Sequence, residues 1–172
     1  MGGVDKALLV VDSMTLLERA LAALGGCDER IVVGPERPGV DATFVLEPSP
    51  GGGPAPAVVA GVAAADDPDI VVVLAVDLPL VRATHVAALV AALGDPAVDA
   101  AAALDDRGRP NPLLAAYRLA ALPPRAEPGT PAAALLPSAT VTVDLGLAGT
   151  LNVNTPANLA WAQAVLRTKN GP

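Results

Sequence analysis

The sequence predicts an α/β domain with three layers, in which helices cover both faces of a mostly parallel sheet. Strand-like and helix-like segments alternate along the chain, an order typical of strands joined by crossover helices. The segment 70–76 is an uninterrupted apolar run, which indicates a strand buried on both faces, as in a parallel sheet. A length of 172 residues fits a single domain spanning 1–172.

The first half of the chain is expected to contain two helices and three strands. Thr15 and Glu18 form a capping box that starts a helix with Leu and Ala at helical spacing, and Gly25-Gly26 ends it. A loop rich in Gly and Pro over 47–56 precedes the second helix. The expected elements are a helix over 15–24, strands over 30–33 and 43–46, a helix over 58–65 and the strand 70–76.

The second half continues the alternation. Apolar residues at helical spacing over 86–93, followed by Gly94, predict a helix. Thr155 as N-cap and Pro156 at the first helical position begin the last helix, and Arg167 and Lys169 complement the dipole at its end. The other expected elements are strands over 100–104, 113–117 and 140–145 and a short helix over 131–136.

Composition excludes several classes of function. The net charge is −7, and the only lysines are Lys6 and Lys169, whereas nucleic-acid binding needs many cationic contacts with phosphates. No polybasic or long apolar run indicates a membrane, and no signal peptide is apparent. The single cysteine, Cys27, excludes an internal disulfide and a multi-cysteine metal site. We therefore expect a cytoplasmic protein without nucleic-acid or membrane partners.

Two charged residues are candidates for phosphate chemistry. Asp77 follows the most apolar strand, at the sheet edge where α/β proteins bind ligands, and its oxygens suit Mg²⁺. The alternative is that Asp77 only caps the turn that follows. Lys6 comes just after Gly2-Gly3. Glycines let the backbone approach a phosphate, and the lysine supplies a positive charge. The alternative is a solvated lysine near a terminus.

Two loops before helices are further candidates. Gly51 to Pro54 form a loop that either lets a phosphate or base approach the backbone or serves only as a turn. Asn152 and Asn154 are two apart in an extended segment, so their amides are expected on one side, where a polar ligand could bind. The alternative for this pair is turn formation and helix capping.

Five short motifs occur in the order and at the spacing of one known family. They are 2–9 (GGVDKALL), 53–54 (GP), 76–79 (VDLP), 108–118 (GRPNPLLAAYR) and 152–159 (NVNTPANL). These segments resemble the G-x-D-K-x-L-L, G-P, C-D-x-P, G-R-x-x-P-L…Y-R and N-I-N-T-P-E-D-L motifs of molybdenum cofactor guanylyltransferases. The resemblance runs from Met1 to about Leu159.

The resemblance implies a MobA-like, Rossmann-like nucleotidyltransferase fold that transfers GMP from GTP to the terminal phosphate of molybdopterin with Mg²⁺. It makes Lys6 and Asp77 the catalytic residues, with Asp77 as the metal ligand. It also implies molybdoenzymes or other proteins of cofactor biosynthesis as partners. The remaining implied roles are nucleotide binding by Gly2, Gly3, Lys6, Gly53 and Pro54, and acceptor binding by Asn152, Asn154 and Arg109.

The sequence departs from the family at its start. Family members begin with a buried strand and an L-A-G-G loop, and Met1 aligns with the Met of that loop. We therefore expect an N-terminally truncated form that binds GTP poorly and is less stable than an upstream-extended form. The alternatives are a molybdopterin cytidylyltransferase, another small-molecule phosphate nucleotidyltransferase, or a catalytically inactive remnant. Asp5, Asn152 and Asn154 favour guanine over cytosine within this resemblance.

Overall fold

The computed structural model describes residues 5–169, which form eight strands and five α-helices. The strands are β1 (Val10–Val11), β2 (Met14–Thr15), β3 (Ile31–Val33), β4 (Thr43–Val45), β5 (Ile70–Leu74), β6 (Ala100–Leu104), β7 (Pro110–Arg118) and β8 (Thr140–Val143). The helices are α1 (Leu16–Ala23), α2 (Pro54–Val62), α3 (Ala83–Ala91), α4 (Leu147–Thr150) and α5 (Pro156–Lys169). Short 3₁₀ turns lie at Lys6–Leu8, Ala92–Gly94, Leu119–Ala121 and Ala132–Leu135.

The largest sheet has the strand order β5-β7-β6-β8. Strand β7 runs antiparallel to β5 and to β6, and β8 runs parallel to β6, so β5, β6 and β8 share one direction. Strands β3 and β4 form a separate parallel pair, and β1 and β2 a short antiparallel one. Three of the four strands thus run in one direction, as expected of a mostly parallel sheet, but β7 is reversed by the turn that joins it to β6, so two of the three pairings are antiparallel.

Two apolar cores lie on opposite faces of the large sheet, which gives the expected three layers. On one face α1 and α3 pack against Ile70, Val72 and Leu74 of β5. On the other face α2 packs with Val71 and Val73. This alternation along β5 is the period of two expected of a strand. Tyr117 is fully buried in the second core, and its hydroxyl donates to the Pro112 carbonyl at 2.8 Å.

A third apolar cluster fixes the loops near Asp77. It joins β1, α5 and the segment that follows β5, and its fully buried members include Val11 and Val153. Leu80 belongs to the same cluster. Because Val153 is held in this cluster, the asparagines on either side of it are placed beside the end of β5.

The strand β5 differs from its prediction in one respect. The sequence indicates full burial, but all five residues of β5 are only partly buried. The reason is its position, since β5 is an edge strand that pairs on one side with β7. Its side chains therefore have neighbours above, below and on one flank only.

Four other elements of the structure differ from those predicted from the sequence. Helix α2 begins at Pro54, earlier than expected, because a proline suits the first helical position. The helix expected at 131–136 is a 3₁₀ turn. The short hairpin β1–β2 and helix α4 were not predicted, because their segments carry no clear periodic pattern.

Among residues 5–169, no helix is both long and apolar enough to span a membrane.

Candidate functional site

Three residues that the sequence singled out meet at the carboxyl end of β5. The Lys6 ammonium donates to Asp77 Oδ2 at 2.9 Å across 71 positions of the chain. The same ammonium donates to Asn154 Oδ1, which is 148 positions away. The side chain of Lys6 is 33% exposed and that of Asp77 19%, so the group is partly shielded and still open to a ligand.

The start of the described chain holds Lys6 in place. Asp5 caps the 3₁₀ turn that contains Lys6 by accepting a hydrogen bond from the Ala7 amide at 3.1 Å. The Asp5 carboxylate also forms an ion pair with Arg37, which lies just beyond β3. The chain is thus tied to the end of β3 through Asp5 and to the end of β5 through Lys6.

The backbone locks Asp77 to the segment 152–154. The Val153 amide donates to the Asp77 carbonyl at 2.9 Å, and Val153 is fully buried. Because this contact is made by the main chain, it fixes the distance between the two loops whatever their side chains do. Asn154 is exposed beside it, where its amide oxygen reaches Lys6.

Asn152 lies next to this group and accepts a hydrogen bond from the Asn154 amide at 3.1 Å through its carbonyl, but its side chain bonds elsewhere. Its side chain is half-buried and donates to the Thr150 carbonyl at 3.3 Å. Its own carbonyl accepts from Asn158 Nδ2 at 2.7 Å, and Thr155 caps α5 through the Asn158 amide at 3.1 Å. The capping role considered for this segment is therefore filled by Thr155 and Asn158, which leaves the Asn154 side chain to Lys6.

The loop at Gly53 and Pro54 contains a backbone conformation that favours glycine. Gly53 precedes α2 with φ +102°, a conformation that L side chains rarely adopt. Because Pro54 and Pro56 both lack an amide hydrogen, the first turn of α2 offers few donors to a phosphate. Gly2 and Gly3, the other expected nucleotide-binding glycines, lie outside the described residues.

Arg109 lies at the same edge of the sheet but apart from the three central residues. It ends the turn between β6 and β7 and is held by Asp105, which accepts from its Nη2 at 2.8 Å and its Nε at 3.0 Å. The Arg109 side chain is 64% exposed. No contact of Arg109 with Lys6, Asp77 or Asn154 occurs among the described residues.

The Asp105 turn predicts a measurable pH dependence. Hydrogen bonds from the backbone and side chain of Arg109 hold the pKa of Asp105 below its ordinary value. A lowered pKa stabilises the folded state above the unfolded pKa of about 4, and that contribution is lost as the pH falls through the folded pKa. We expect urea midpoints of the wild type to fall more between about pH 6 and about pH 3 than those of Asp105→Asn. Identical pH profiles for the two proteins would contradict this role.

The donor atoms at the central group are compatible with Mg²⁺. Within residues 5–169 no three His, Cys, Asp or Glu side chains cluster as a closed metal site. Mg²⁺ is commonly held by one or two carboxylates together with substrate phosphates and water, and Asp77 and Asn154 supply oxygens of the preferred kind. The residues present therefore fit the metal that the sequence predicts at Asp77.

Sequence reasoning missed Arg37 and the Val153 amide. Arg37 pairs with Asp5 across 32 positions and borders the cavity that also contains Lys6. No periodicity or motif links residues so far apart in the chain. The amide of an apolar residue such as Val153 carries no signal in a sequence at all.

The sequence pattern of the MobA-like NTP transferase domain matches residues 1–139. No curated protein matches the chain by sequence. Among solved structures, the molybdopterin-guanine dinucleotide biosynthesis protein A of Archaeoglobus fulgidus is similar, with 19% identity over 96% of this chain and 92% of that one and a TM-score of 0.69.

Two further solved structures are similar in fold. The 2-C-methyl-D-erythritol 4-phosphate cytidylyltransferase of Thermus thermophilus is 22% identical, covers 94% of this chain and 93% of its own, and gives a TM-score of 0.66. The 4-diphosphocytidyl-2C-methyl-D-erythritol synthase of Anaerococcus prevotii is 14% identical with the same coverage and TM-score. These likenesses confirm the α/β nucleotidyltransferase fold that the sequence predicts.

Proposed function

The chain belongs to the family of MobA-like NTP transferase domains, and from this premise we propose that it transfers GMP from GTP to the terminal phosphate of molybdopterin. The nucleotidyltransferase class follows from the family. The observation that supports the site is the meeting of Lys6, Asp77 and Asn154 at one sheet edge. Three chain segments thereby bring a cation, a carboxylate and an amide to one accessible point.

The proposed reaction needs no nucleophilic side chain. An oxygen of the acceptor phosphate attacks the α-phosphorus of GTP and forms a new P–O bond. The bond from the α-phosphorus to the oxygen that bridges to the β-phosphate breaks, and its electron pair leaves with pyrophosphate. The protein's contribution is to align the two phosphates and to neutralise their charge.

Lys6 supplies the positive charge in this proposal. Its ammonium now faces Asp77 and Asn154 and is partly exposed, so a triphosphate can take up its remaining donor capacity. Asp77 would hold Mg²⁺, which when bound neutralises phosphate charge and orients the phosphates. Gly53 and Pro54 would border the nucleoside, because the first turn of α2 has few amides to offer a phosphate.

We assign Asn152, Asn154 and Arg109 to the acceptor half of the site. Arg109 is exposed at the edge to which Asp77 belongs, and an arginine suits a phosphate group. Asn154 contacts Lys6, which supports an acceptor half directly beside the nucleotide half. That adjacency is required for transfer between two bound substrates.

Replacing both Asn152 and Asn154 by Ala is expected to weaken molybdopterin binding by about tenfold, the loss of roughly one hydrogen bond to a charged group. The affinity for GTP should stay nearly unchanged. Calorimetry with each ligand separately measures both values, and Gln163→Ala removes an amide from α5 as a control. The opposite result, with GTP weakened and molybdopterin unaffected, would mean that the two halves are exchanged.

The nucleotide preference is tested by giving the protein each of four nucleoside triphosphates. The protein is incubated with Mg²⁺, molybdopterin and GTP, CTP, ATP or UTP at single-turnover concentrations, so that weak affinity does not hide product. Mass spectrometry should detect the guanine dinucleotide with GTP. A cytosine product would favour the alternative function, a molybdopterin cytidylyltransferase. No product with any nucleotide would favour the inactive remnant.

A further inference from the structure

The 3₁₀ turn that carries Lys6 is held in place mainly by polar contacts. None of its three residues is buried, and the side chain of Leu8 is 53% exposed. On its carboxyl side the turn continues into Leu9, whose carbonyl accepts from the Leu16 amide at 2.9 Å. On its amino side the anchor is the carboxylate of Asp5. The contacts of Asp5 therefore decide where the Lys6 backbone lies.

The Asp5 carboxylate makes a different contact with each of its oxygens. Oδ1 accepts a hydrogen bond from the Ala7 amide at 3.1 Å, inside the turn itself. Oδ2 forms an ion pair with Nη2 of Arg37, across 32 positions of the chain. The first contact shapes the turn, whereas the second fixes the turn relative to the rest of the protein.

Arg37 approaches Asp5 from a loop that is anchored to the sheet of β3 and β4. The loop leaves β3 at Gly34, whose amide donates to β4 at 2.8 Å. It turns at Gly39, where φ is +78°, and the Val40 amide donates to the Arg37 carbonyl at 3.3 Å. The Arg37 side chain is only 18% exposed, against 46% for Asp5. The guanidinium is thus the shielded partner, and water and salt screen the pair less than one on an open surface.

The Lys6 ammonium cannot keep both of its own contacts in full while it serves a substrate. In the proposed function it faces a triphosphate, whose oxygens compete with Asp77 and Asn154 for the same N–H donors. The contacts that hold Lys6 in the free protein are then weakened when its position matters most. The pair of Asp5 and Arg37 involves other side chains, so it persists when the triphosphate binds.

We propose that Arg37 is a positioning residue, which acts through Asp5 to keep the Lys6 ammonium on the phosphates of the nucleotide. The inference rests on the proposed function in one respect only, the assignment of a phosphate to Lys6. Arg37 itself does not contact the substrate, because its Nη2 and its charge are taken up by Asp5.

Two variants separate this role from direct binding of phosphate by Arg37. Arg37→Ala removes the anchor, and Asp5→Asn removes the charge that Arg37 holds but keeps an oxygen for the Ala7 amide. Both weaken the site if Arg37 acts through Asp5. If Arg37 bound phosphate itself, Asp5→Asn would free it and tighten binding. Arg30→Ala is the matched control, because Arg30 pairs with Asp41 at 2.7 Å just before β3.

The test follows the Lys6 side chain by NMR during titration with inorganic tripolyphosphate, which contains no nucleoside. The chain has two lysines, so lysine-selective ¹³C labelling gives one signal for Lys6 and one for Lys169 as a reference. We expect about tenfold weaker affinity in Arg37→Ala and in Asp5→Asn, the size typical of a residue that touches no ligand. Arg30→Ala should match the wild type.

Three further results are expected from the same set of proteins. The double variant of Asp5→Asn and Arg37→Ala should be no weaker than either single variant, because both break one pair. Arg37→Lys should recover part of the affinity, since the charge returns. Thermal midpoints should stay within a few degrees of that of Arg30→Ala, because partly exposed ion pairs contribute little to stability.

Unchanged affinity in Arg37→Ala, tighter affinity in Asp5→Asn, or losses that add in the double variant would each overturn the proposal. A wild-type Lys6 signal that tripolyphosphate does not move would overturn it as well, because Lys6 would then have no phosphate to meet. Transfer of GMP is measured separately. Its absence beside the expected titrations would contradict the proposed function and leave the role of Arg37 supported.

Discussion

Replacing Asp77 by Ala is expected to lower kcat by about 100-fold or more, the usual effect of removing a major electrostatic element from an active site. The carboxylate lies 2.9 Å from the Lys6 ammonium and is 19% exposed, so its charge acts in a partly shielded place. Binding of GTP with Mg²⁺ should weaken, whereas binding of GTP without the metal should not, because Lys6 loses its competing anion. Calorimetry with and without Mg²⁺ separates the two effects.

The matched control is Asp106→Ala, which removes an exposed carboxylate from the turn between β6 and β7. We expect that variant to keep wild-type activity. If Asp77→Ala keeps both activity and Mg²⁺-dependent affinity, the site is not at the end of β5. An equal loss in the control would instead indicate an effect of net charge on the whole protein.

Replacing Lys6 by Ala is expected to reduce kcat/KM by about 100-fold, because the same ammonium serves ground-state and transition-state phosphates. The substitution also leaves Asp77 without its cation, which adds repulsion toward a triphosphate. Lys6→Arg should recover part of the activity, since the charge returns with a different shape. Steady-state kinetics on the three proteins should therefore rank kcat/KM as highest in the wild type, lower in Lys6→Arg and lowest in Lys6→Ala.

The control for Lys6 is Arg125→Ala, a loss of one exposed positive charge in a loop between the described elements. A general effect of charge on the rate at which substrate reaches the protein would lower kcat/KM in both variants, and this effect would decline as salt is added. A loss specific to Lys6 that persists in salt supports direct contact with the nucleotide. Wild-type kinetics in Lys6→Ala would contradict the proposed role.

Local signals in the sequence predicted much of the fold. Thr15 and Glu18 form the expected capping box at the start of α1, and the strand expected at 100–104 is found as Ala100–Leu104. These features depend on neighbouring residues, which a sequence displays directly. The hairpin β1–β2 escaped prediction because each of its strands has only two residues, too few to show a period of two.

The site was predictable in its residues and not in its contacts. Position, charge and motif single out Lys6, Asp77 and Asn154 one by one, but nothing in the sequence shows that they meet. Arg37 was missed because its partner Asp5 is distant in the chain. Arg109 was identified by motif, yet its partner in the structure is Asp105, four residues away, and its acceptor role remains a prediction.

The partial burial of β5 shows what composition alone cannot give. An apolar run of this kind indicates burial on both faces, and β5 does pack on both faces, but it has a neighbouring strand only on the side of β7. The apolar sequence shows that β5 is suited to burial, whereas its actual exposure depends on which elements lie beside it.

The measurement that tests the central claim most directly is a titration of ¹⁵N-labelled protein with Mg²⁺ and GTP followed by NMR. The claim is that Lys6 and Asp77 form the nucleotide half of one site, and that the bond from the Val153 amide to Asp77 holds the acceptor segment 152–154 directly beside it. We predict that the amides of Lys6, Asp77, Val153 and Asn154 shift together, with one affinity, and that Asp77→Ala removes the Mg²⁺-dependent part. Shifts confined to other parts of the chain, with these four amides unmoved, would contradict the account.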